Sequence, residues 1–430
     1  MTMTGKQAMS KNTINKDPSC MNDYDPESIT PDKALENIFK TIIPVKETET
    51  VPVREALGRV LANNIKSEIN VPSARNSAMD GYAINSAGIP TEGIKQLQMI
   101  GTSFAGKPFK DSIKSDECVR IMTGAIMPDN ADTVVIQENV EVSDNKISIA
   151  SDEKPGSNVR QAGEDLAIGD LVLEKGMKLT PADIGLLASL GIPEVSVFRN
   201  LKVAFFSTGD ELRSVGEELE TGDIYDSNRY TLFGMLSRLA IEIIDMGVVK
   251  DDKQLLEDAF AEAKGKVDVL ITSGGVSVGE ADYVKETLLK QGETKFWKVA
   301  MKPGRPLTFG KLDTTYFFGL PGNPVSVMVT FYQFVQPALK KLMGESHCSP
   351  IMMKVPCISE LKKRPGRVEY QRGVLAQDET GRMIVRKTGK QGSGILRSMA
   401  DANCFIVLPL ESEGVKPDEL VNVQLFHGIV

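Results

Sequence analysis

The chain has 430 residues, too many for one ordinary domain, so about two to four are expected. It is 41% hydrophobic and 25% charged, the balance of a soluble globular protein, and its net charge of −8 argues against general nucleic-acid binding. No apolar run approaches the length of a membrane span.

The side-chain inventory narrows the chemistry further. Five cysteines are scattered with no C-x-x-C pair, which suits a reducing cytoplasm and argues against a zinc site. Only His347 and His427 are present, so a histidine triad is nearly excluded. Carboxylates, lysines, arginines, hydroxyls and backbone amides remain. Phosphoryl or other oxyanion chemistry fits them, because it depends on positioning and charge stabilisation.

In chain order, residues 1–27 have no apolar core and read as a disordered tail. Residues 28–47 read as one helix, opened by Thr30-Pro31 with a stripe of Ala34, Leu35, Ile38 and Ile42. Residues 48–167 change to short β-type runs, such as 117–122 and 133–136, and predict a β-rich domain. Two of its loops stand out: Asn76–Ala83, which packs polar groups around Asp80, and Met122–Ala125, where Thr123 sits beside Gly. Thr180-Pro181-Ala182-Asp183 opens a helix ended by Gly191 and Pro193, with Asp183 closing a capping box.

From 201 to 349 strands and helices alternate, which predicts a doubly wound, mostly parallel sheet with helices on both faces. Ligands of such sheets bind at the carboxyl ends of the strands. The stretches 207–211, 273–282, 302–306 and 320–326 all follow strands and are expected to share one rim. In the second of them, Val267–Ile271 reads as a buried strand. Ser273, Gly274 and Gly275 then turn the backbone, and Ser277, Glu280 and Asp282 follow before a helical run. Strand, glycine loop and helix aim backbone N–H groups at an anion, and neighbouring carboxylates suggest a divalent cation. Between Lys295 and Lys311 five cations stand with no acid, and Lys302-Pro303-Gly304-Arg305-Pro306 places two of them on a stiff turn suited to anion capture. From 350 to 430 the chain is again β-rich, with Tyr370–Gly373 and Lys390–Gly394 read as basic loops and Cys404–Leu408 as a buried strand.

Six motifs, Asn76–Tyr82, Gly163–Asp165, Ser207–Leu212, Ser273–Tyr283, Lys302–Pro306 and Gly319–Ser326, together resemble the molybdopterin molybdenumtransferases of the MoeA family. That family is similar to the plant insertase domain and the C-terminal domain of gephyrin. The resemblance runs from about residue 28 to 430. It implies a multidomain α/β and β protein: a linking domain of 28–47 with 168–200, a β-rich domain at 48–167, a molybdopterin-binding α/β domain at 201–349, and a β-rich domain at 350–430. It implies a cytoplasmic Mg²⁺-dependent insertase that takes adenylylated molybdopterin and molybdate and releases AMP. It also implies a homodimer with a shared cleft, an upstream adenylyltransferase as pathway partner, and no nucleic acid or membrane.

Carried over by position, Asp282 is the expected essential carboxylate with Ser277 beside it, and Asp80, Glu211 and Asp165 join them as catalytic candidates. Asp80 is expected to reach the cleft from the partner subunit. Glu211, Glu280 and Asp282 are the expected Mg²⁺ ligands. Thr123, Asp251, Ser273, Gly274, Gly275, Lys298, Lys302, Arg305, Pro306 and Ser326 are expected to bind substrate, with Arg372 and Ser393 as a second anion-binding pair. Arg305 stands where the family often has Lys; its charge is retained, while geometry and oxyanion preference are open to change. Three alternatives stay open: the related adenylyltransferase, a receptor-binding scaffold, and tungstate in place of molybdate.

Overall fold

The computed structural model describes residues 28–275 and 293–426. They divide into two compact units. One takes the chain up to Glu49, Gly58–Val60 and Phe198 onward; the other takes Thr50–Leu57 and Leu61–Val197.

The second unit is built on a mixed six-stranded sheet. Its strand order is Thr133–Ile136, Gly81–Ile84, Glu117–Ile121, Ile94–Ser103, Lys146–Ala150 and Glu141–Ser143. Alternation along the strands puts Ala83, Val119, Ile121 and Val134 into one core and Tyr82, Ile84, Cys118 and Val135 into another. A third core gathers Leu61, Leu173, Leu187 and Val197 around the helix Pro181–Ser189, whose Thr180–Asp183 capping box forms as expected.

The first unit opens with α1 (Pro31–Thr41), capped by Thr30. It is shorter than the 28–47 expectation. Ile42 is already extended at φ −79° and ψ 138°, and Pro44 has no N–H to continue a helical ladder. The central sheet contains β1 (Leu201–Thr208), β2 (Ile241–Val249), β3 (Val269–Ser273), β4 (Glu293–Lys298), β5 (Pro306–Leu312) and β6 (Thr315–Leu320), in the order β2-β1-β3-β6-β5-β4. The β2, β1, β3 and β6 strands are mutually parallel, and β5 runs against both its neighbours. The carboxyl ends of β1, β3, β4 and β6 therefore lie on one rim. Helices α2 (Ser227–Leu236) and α3 (Lys253–Ala263) cover the sheet. Phe260 of α3 packs edge-on against Phe206 and Phe317 at 5.9 and 5.5 Å between ring centroids.

The closing helix runs from Pro324 to Leu342, with one π-turn over Phe331–Val335 immediately before Pro337. The wider turn absorbs the hydrogen bond that this proline cannot donate. Beyond it a second six-stranded sheet orders Met301–Lys302, Val368–Gln377, Cys404–Leu408, Leu420–Leu425 and Met352–Pro356, with Met383–Lys387 joined to Val368–Gln377. Tyr370–Gly373, expected as a loop, lies inside the long strand Val368–Gln377. Strands on both sides satisfy its backbone, and five consecutive residues from Glu369 to Gly373 are buried.

Candidate active site

The rim of the central sheet is shaped by the turn after β3. Gly274 has φ +92°, and a Cβ there would lie 2.4 Å from the Thr208 carbonyl oxygen at the end of β1. Only glycine permits that approach. Its N–H donates to Leu320 O at 3.1 Å, so the ends of β1, β3 and β6 are drawn together. Ser273 is 1% exposed, and its hydroxyl has no partner among the described residues. On the β1 side the Thr208 hydroxyl donates to the Asp251 carboxylate, and the Asp251 N–H donates to Asp210 at 3.2 Å. Glu211 is exposed, and its carboxylate lies over Gly209. Asp251 is therefore more than a helix-start charge: it is bonded to the end of the first parallel strand.

The second half of the site is cationic. The turn from Lys298 to Pro306 closes by a bond from Val299 N–H to Arg305 O at 2.7 Å. Its middle, Met301–Lys302, joins the second sheet as a short parallel strand beside Val368–Glu369. That pairing brings Lys302 to the Glu369 carboxylate at 3.1 Å, while Gln371 holds the other Glu369 oxygen at 2.9 Å. A cavity of about 270 Å³ lies here, lined by Lys302, Lys362, Lys387 and Arg372 among others, with Glu369 the single carboxylate. Four cations against one carboxylate give this cavity a positive charge balance, which suits an anion.

Arg372 is 1% exposed. Its Nε donates to the Ser398 hydroxyl at 3.0 Å and its Nη2 to Gly392 O at 3.1 Å. Burial pulls its pKa down to about 10, with Glu369 opposing, so the guanidinium stays charged at neutral pH. The next residue of that loop, Ser393, accepts a bond from the Val325 N–H at 3.1 Å, beside the buried Ser326. Lys302, Pro306, Ser326, Arg372 and Ser393, spread over 92 positions of sequence, thus lie on elements that are bonded to one another.

In the other unit, Asp80 and Thr123 meet directly. The Asp80 Oδ1 accepts both the Thr123 N–H and the Thr123 hydroxyl at 2.7 Å. Those bonds, the N–H first, hold the Asp80 carboxyl below the usual carboxylate range. Gly81 follows because a Cβ there would fall 2.1 Å from Val135 O of the neighbouring strand. Asp165 is exposed and tied to Val71 O through its backbone N–H.

Three family models match the chain in order. They are the MoeA N-terminal region, domains I and II, over residues 29–191; a "Probable molybdopterin binding domain" over 204–341; and the MoeA C-terminal region, domain IV, over 354–426. A molybdopterin molybdenumtransferase of Haemophilus influenzae is 45% identical over 404 residues, covering 94% of this chain and all of the relative. The chain belongs to the molybdopterin molybdenumtransferase family. A family member from Nostoc is 36% identical across 91% of this chain and 92% of its own. Gephyrin of Dictyostelium discoideum is 36% identical across 94% of this chain and 63% of its own. The solved moeA protein of Pyrococcus horikoshii OT3 superposes with a TM-score of 0.81 at 31% identity, covering 93% of this chain and 100% of that one.

Of the family positions expected from sequence, Ser277, Glu280 and Asp282 lie outside the described residues. Among the described residues no three His, Cys, Asp or Glu side chains converge as a cation site. Glu211 is the described member of the expected Mg²⁺ set, and its exposed carboxylate is a suitable hard oxygen donor.

The sequence reading missed several residues. Lys362 and Lys387 line the cationic cavity. The run Lys362-Lys363-Arg364 offered a signal, but its members divide: Lys363 turns inward and donates to the carbonyls of Arg364, Leu410 and Ser412. Glu369 and Gln371 showed no signal, since a polar residue in a strand tells nothing of its partner. Asp226 and Asn228 carried no functional signal either.

Proposed function

We propose that the chain is a molybdenum insertase of molybdenum-cofactor biosynthesis. It would bind adenylylated molybdopterin and molybdate, place molybdenum on the dithiolene, and split the pterin phosphate from AMP. The observation that carries this reading is the pairing of the basic turn 298–306 with the strand that bears Arg372, which leaves a four-cation pocket between them. A compact dianion fits such a pocket, and the glycine turn at the rim of the parallel sheet suits a phosphoanhydride beside it.

In this reading Lys302 and Arg372 attract and orient molybdate, assisted by Lys298, Arg305, Pro306, Ser326 and Ser393. Ser273, Gly274 and Gly275 bind the nucleotide-linked phosphates, and Asp251 takes part in substrate binding. Asp282 is the essential carboxylate, with Ser277 beside it. Glu211, Glu280 and Asp282 hold Mg²⁺, which when bound neutralises charge on the anhydride. Asp80, with Thr123 bonded to it, acts from the partner subunit of a homodimer, and Asp165 is a further catalytic residue. The domain division follows the one the resemblance implies, the setting is the cytoplasm, and an adenylyltransferase supplies the substrate.

The test mixes purified protein with adenylylated molybdopterin, Mg²⁺ and molybdate, and measures AMP and active cofactor against a control without molybdate. Molybdate-dependent AMP release with active cofactor is the expected result. Binding without turnover would reject the insertase reading, and ATP-dependent formation of adenylylated pterin would favour the adenylyltransferase.

A further inference from the structure

A buried polar brace stands behind the rim. The Asp226 carboxylate, 1% exposed, accepts the Ser207 hydroxyl and the Arg229 N–H with one oxygen, each at 3.1 Å, and so ties the first turn of α2 to the end of β1. The Arg229 guanidinium is engaged elsewhere, with Asp245 at 2.7 Å. Two residues on, Asn228 is 8% exposed, and its Nδ2 donates to Gly322 O at 2.7 Å. Its own Oδ1 is buried with no partner among the described residues. An amide oxygen left unpaired costs stability, which calls for a reason beyond packing.

The reason lies in the peptide it holds. The carbonyl and N–H of a trans peptide point in opposite directions. With Gly322 O fixed toward Asn228, the Asn323 N–H points away from the brace. Gly322 and Asn323 are exposed on the rim, and the position of a Gly322 Cβ would be 3.9 Å from Gly274 Cα. The Asn323 N–H has no partner among the described residues. Were the peptide to turn over, a carbonyl oxygen would face the substrate in its place and repel an anion.

We propose that Asn228 is a positioning residue that locks the Gly322–Asn323 peptide, so that the Asn323 N–H donates to an oxyanion of the substrate. This rests on the insertase reading and adds a donor and its support to that site. The oxyanion is a phosphate oxygen or molybdate, and the experiment separates them.

The decisive variant is Asn323→Pro, which deletes the N–H together with the side-chain amide, and Asn323→Ala, which deletes the amide and keeps the N–H, is its control. Asn323 has φ −68°, which proline adopts without strain, and its side chain makes no capping bond. Asn228→Asp is the companion variant: it keeps the shape of the side chain and replaces the donor facing Gly322 O with a carboxylate oxygen. Titration calorimetry with molybdate and, separately, with AMP is run on wild type, both single variants and the double variant, alongside melting curves. Asn323→Pro should weaken one of the two ligands about tenfold or more, the loss of one hydrogen bond to a charged group. The ligand affected identifies the oxyanion. Asn228→Asp should weaken the same ligand, and in the Asn323→Pro background it should add nothing, because the donor it positions is already gone. A general structural defect would instead add in the double variant. Wild-type affinity for both ligands in Asn323→Pro, or additive losses, overturns the inference while leaving the insertase reading standing. Failure of the wild-type protein to bind either ligand removes both.

Discussion

Replacing Arg372 by Met separates what this residue does for stability from what it does for ligand. Burial lowers the guanidinium from its ordinary value above 12 to about 10, which corresponds to about 3 kcal/mol of unfavourable charge burial. Against that stand two hydrogen bonds from a charged donor, to Ser398 and Gly392. Each is worth about 1.5–3 kcal/mol. The two bonds together supply about 3–6 kcal/mol, so the cancellation is partial and leaves about 0–3 kcal/mol, while Met fills most of the volume with an apolar chain. Thermal unfolding of Arg372→Met should therefore stay within a few degrees of wild type. Anion binding has no such offset. The variant deletes the most buried of the four pocket cations, so molybdate affinity measured by calorimetry should fall about a hundredfold, with Lys302, Lys362 and Lys387 still present. Arg372→Lys should recover part of it, keeping charge without the fork that reaches Gly392 and Ser398. Unchanged molybdate affinity in Arg372→Met would refute the assignment of the pocket. Loss of folding would refute the cancellation.

Other consequences follow from the same geometry. Asp282→Ala should abolish molybdate-dependent AMP release while leaving the oligomeric state in size-exclusion chromatography unchanged; full activity would remove the central carboxylate from the mechanism. The Asp80 carboxyl should titrate, by NMR, below the ordinary value of about 3.9. Because its folded value is depressed, the stabilisation from Thr123 is present above the unfolded pKa and disappears as pH falls through the lower folded one. Thr123→Val removes the hydroxyl donor and should raise the midpoint, while the remaining N–H bond keeps it below the unfolded value. Gly274→Ala sets a Cβ against the Thr208 carbonyl and forces a left-handed backbone on alanine, so a loss of about 1–3 kcal/mol in stability and of AMP affinity is expected by calorimetry.

Local signals carried much of this protein in its sequence. Capping residues marked the starts of helices at Thr30 and Thr180, and each is observed with its side chain on a backbone N–H. Alternating strands and helices after residue 201 specified the parallel sheet, because crossover connections must lie on the faces of such a sheet. Hence the rim loops were legible: chain direction alone dictates that stretches after parallel strands emerge at the same edge. The six motifs named the family for a related reason, since a glycine such as Gly274, held at positive φ against a neighbouring carbonyl, records backbone shape in residue identity.

Partnership between distant side chains was decided only by the tertiary structure. Nothing near Lys302 in sequence announces Glu369, 67 positions away; the pair exists because two residues of the basic turn become an edge strand of another sheet. Arg372 looked like a loop cation and is instead a buried strand residue, since burial depends on what covers a strand and not on the strand itself. Asp80 and Thr123 read as two separate turns, yet one carboxylate oxygen takes both donors of the threonine. Asn228 showed no signal at all, because its amide acts on a peptide 94 residues further along the chain. Sequence patterns report periodicity and local backbone preference, whereas charge pairing, burial and peptide orientation arise only when separate segments are packed together.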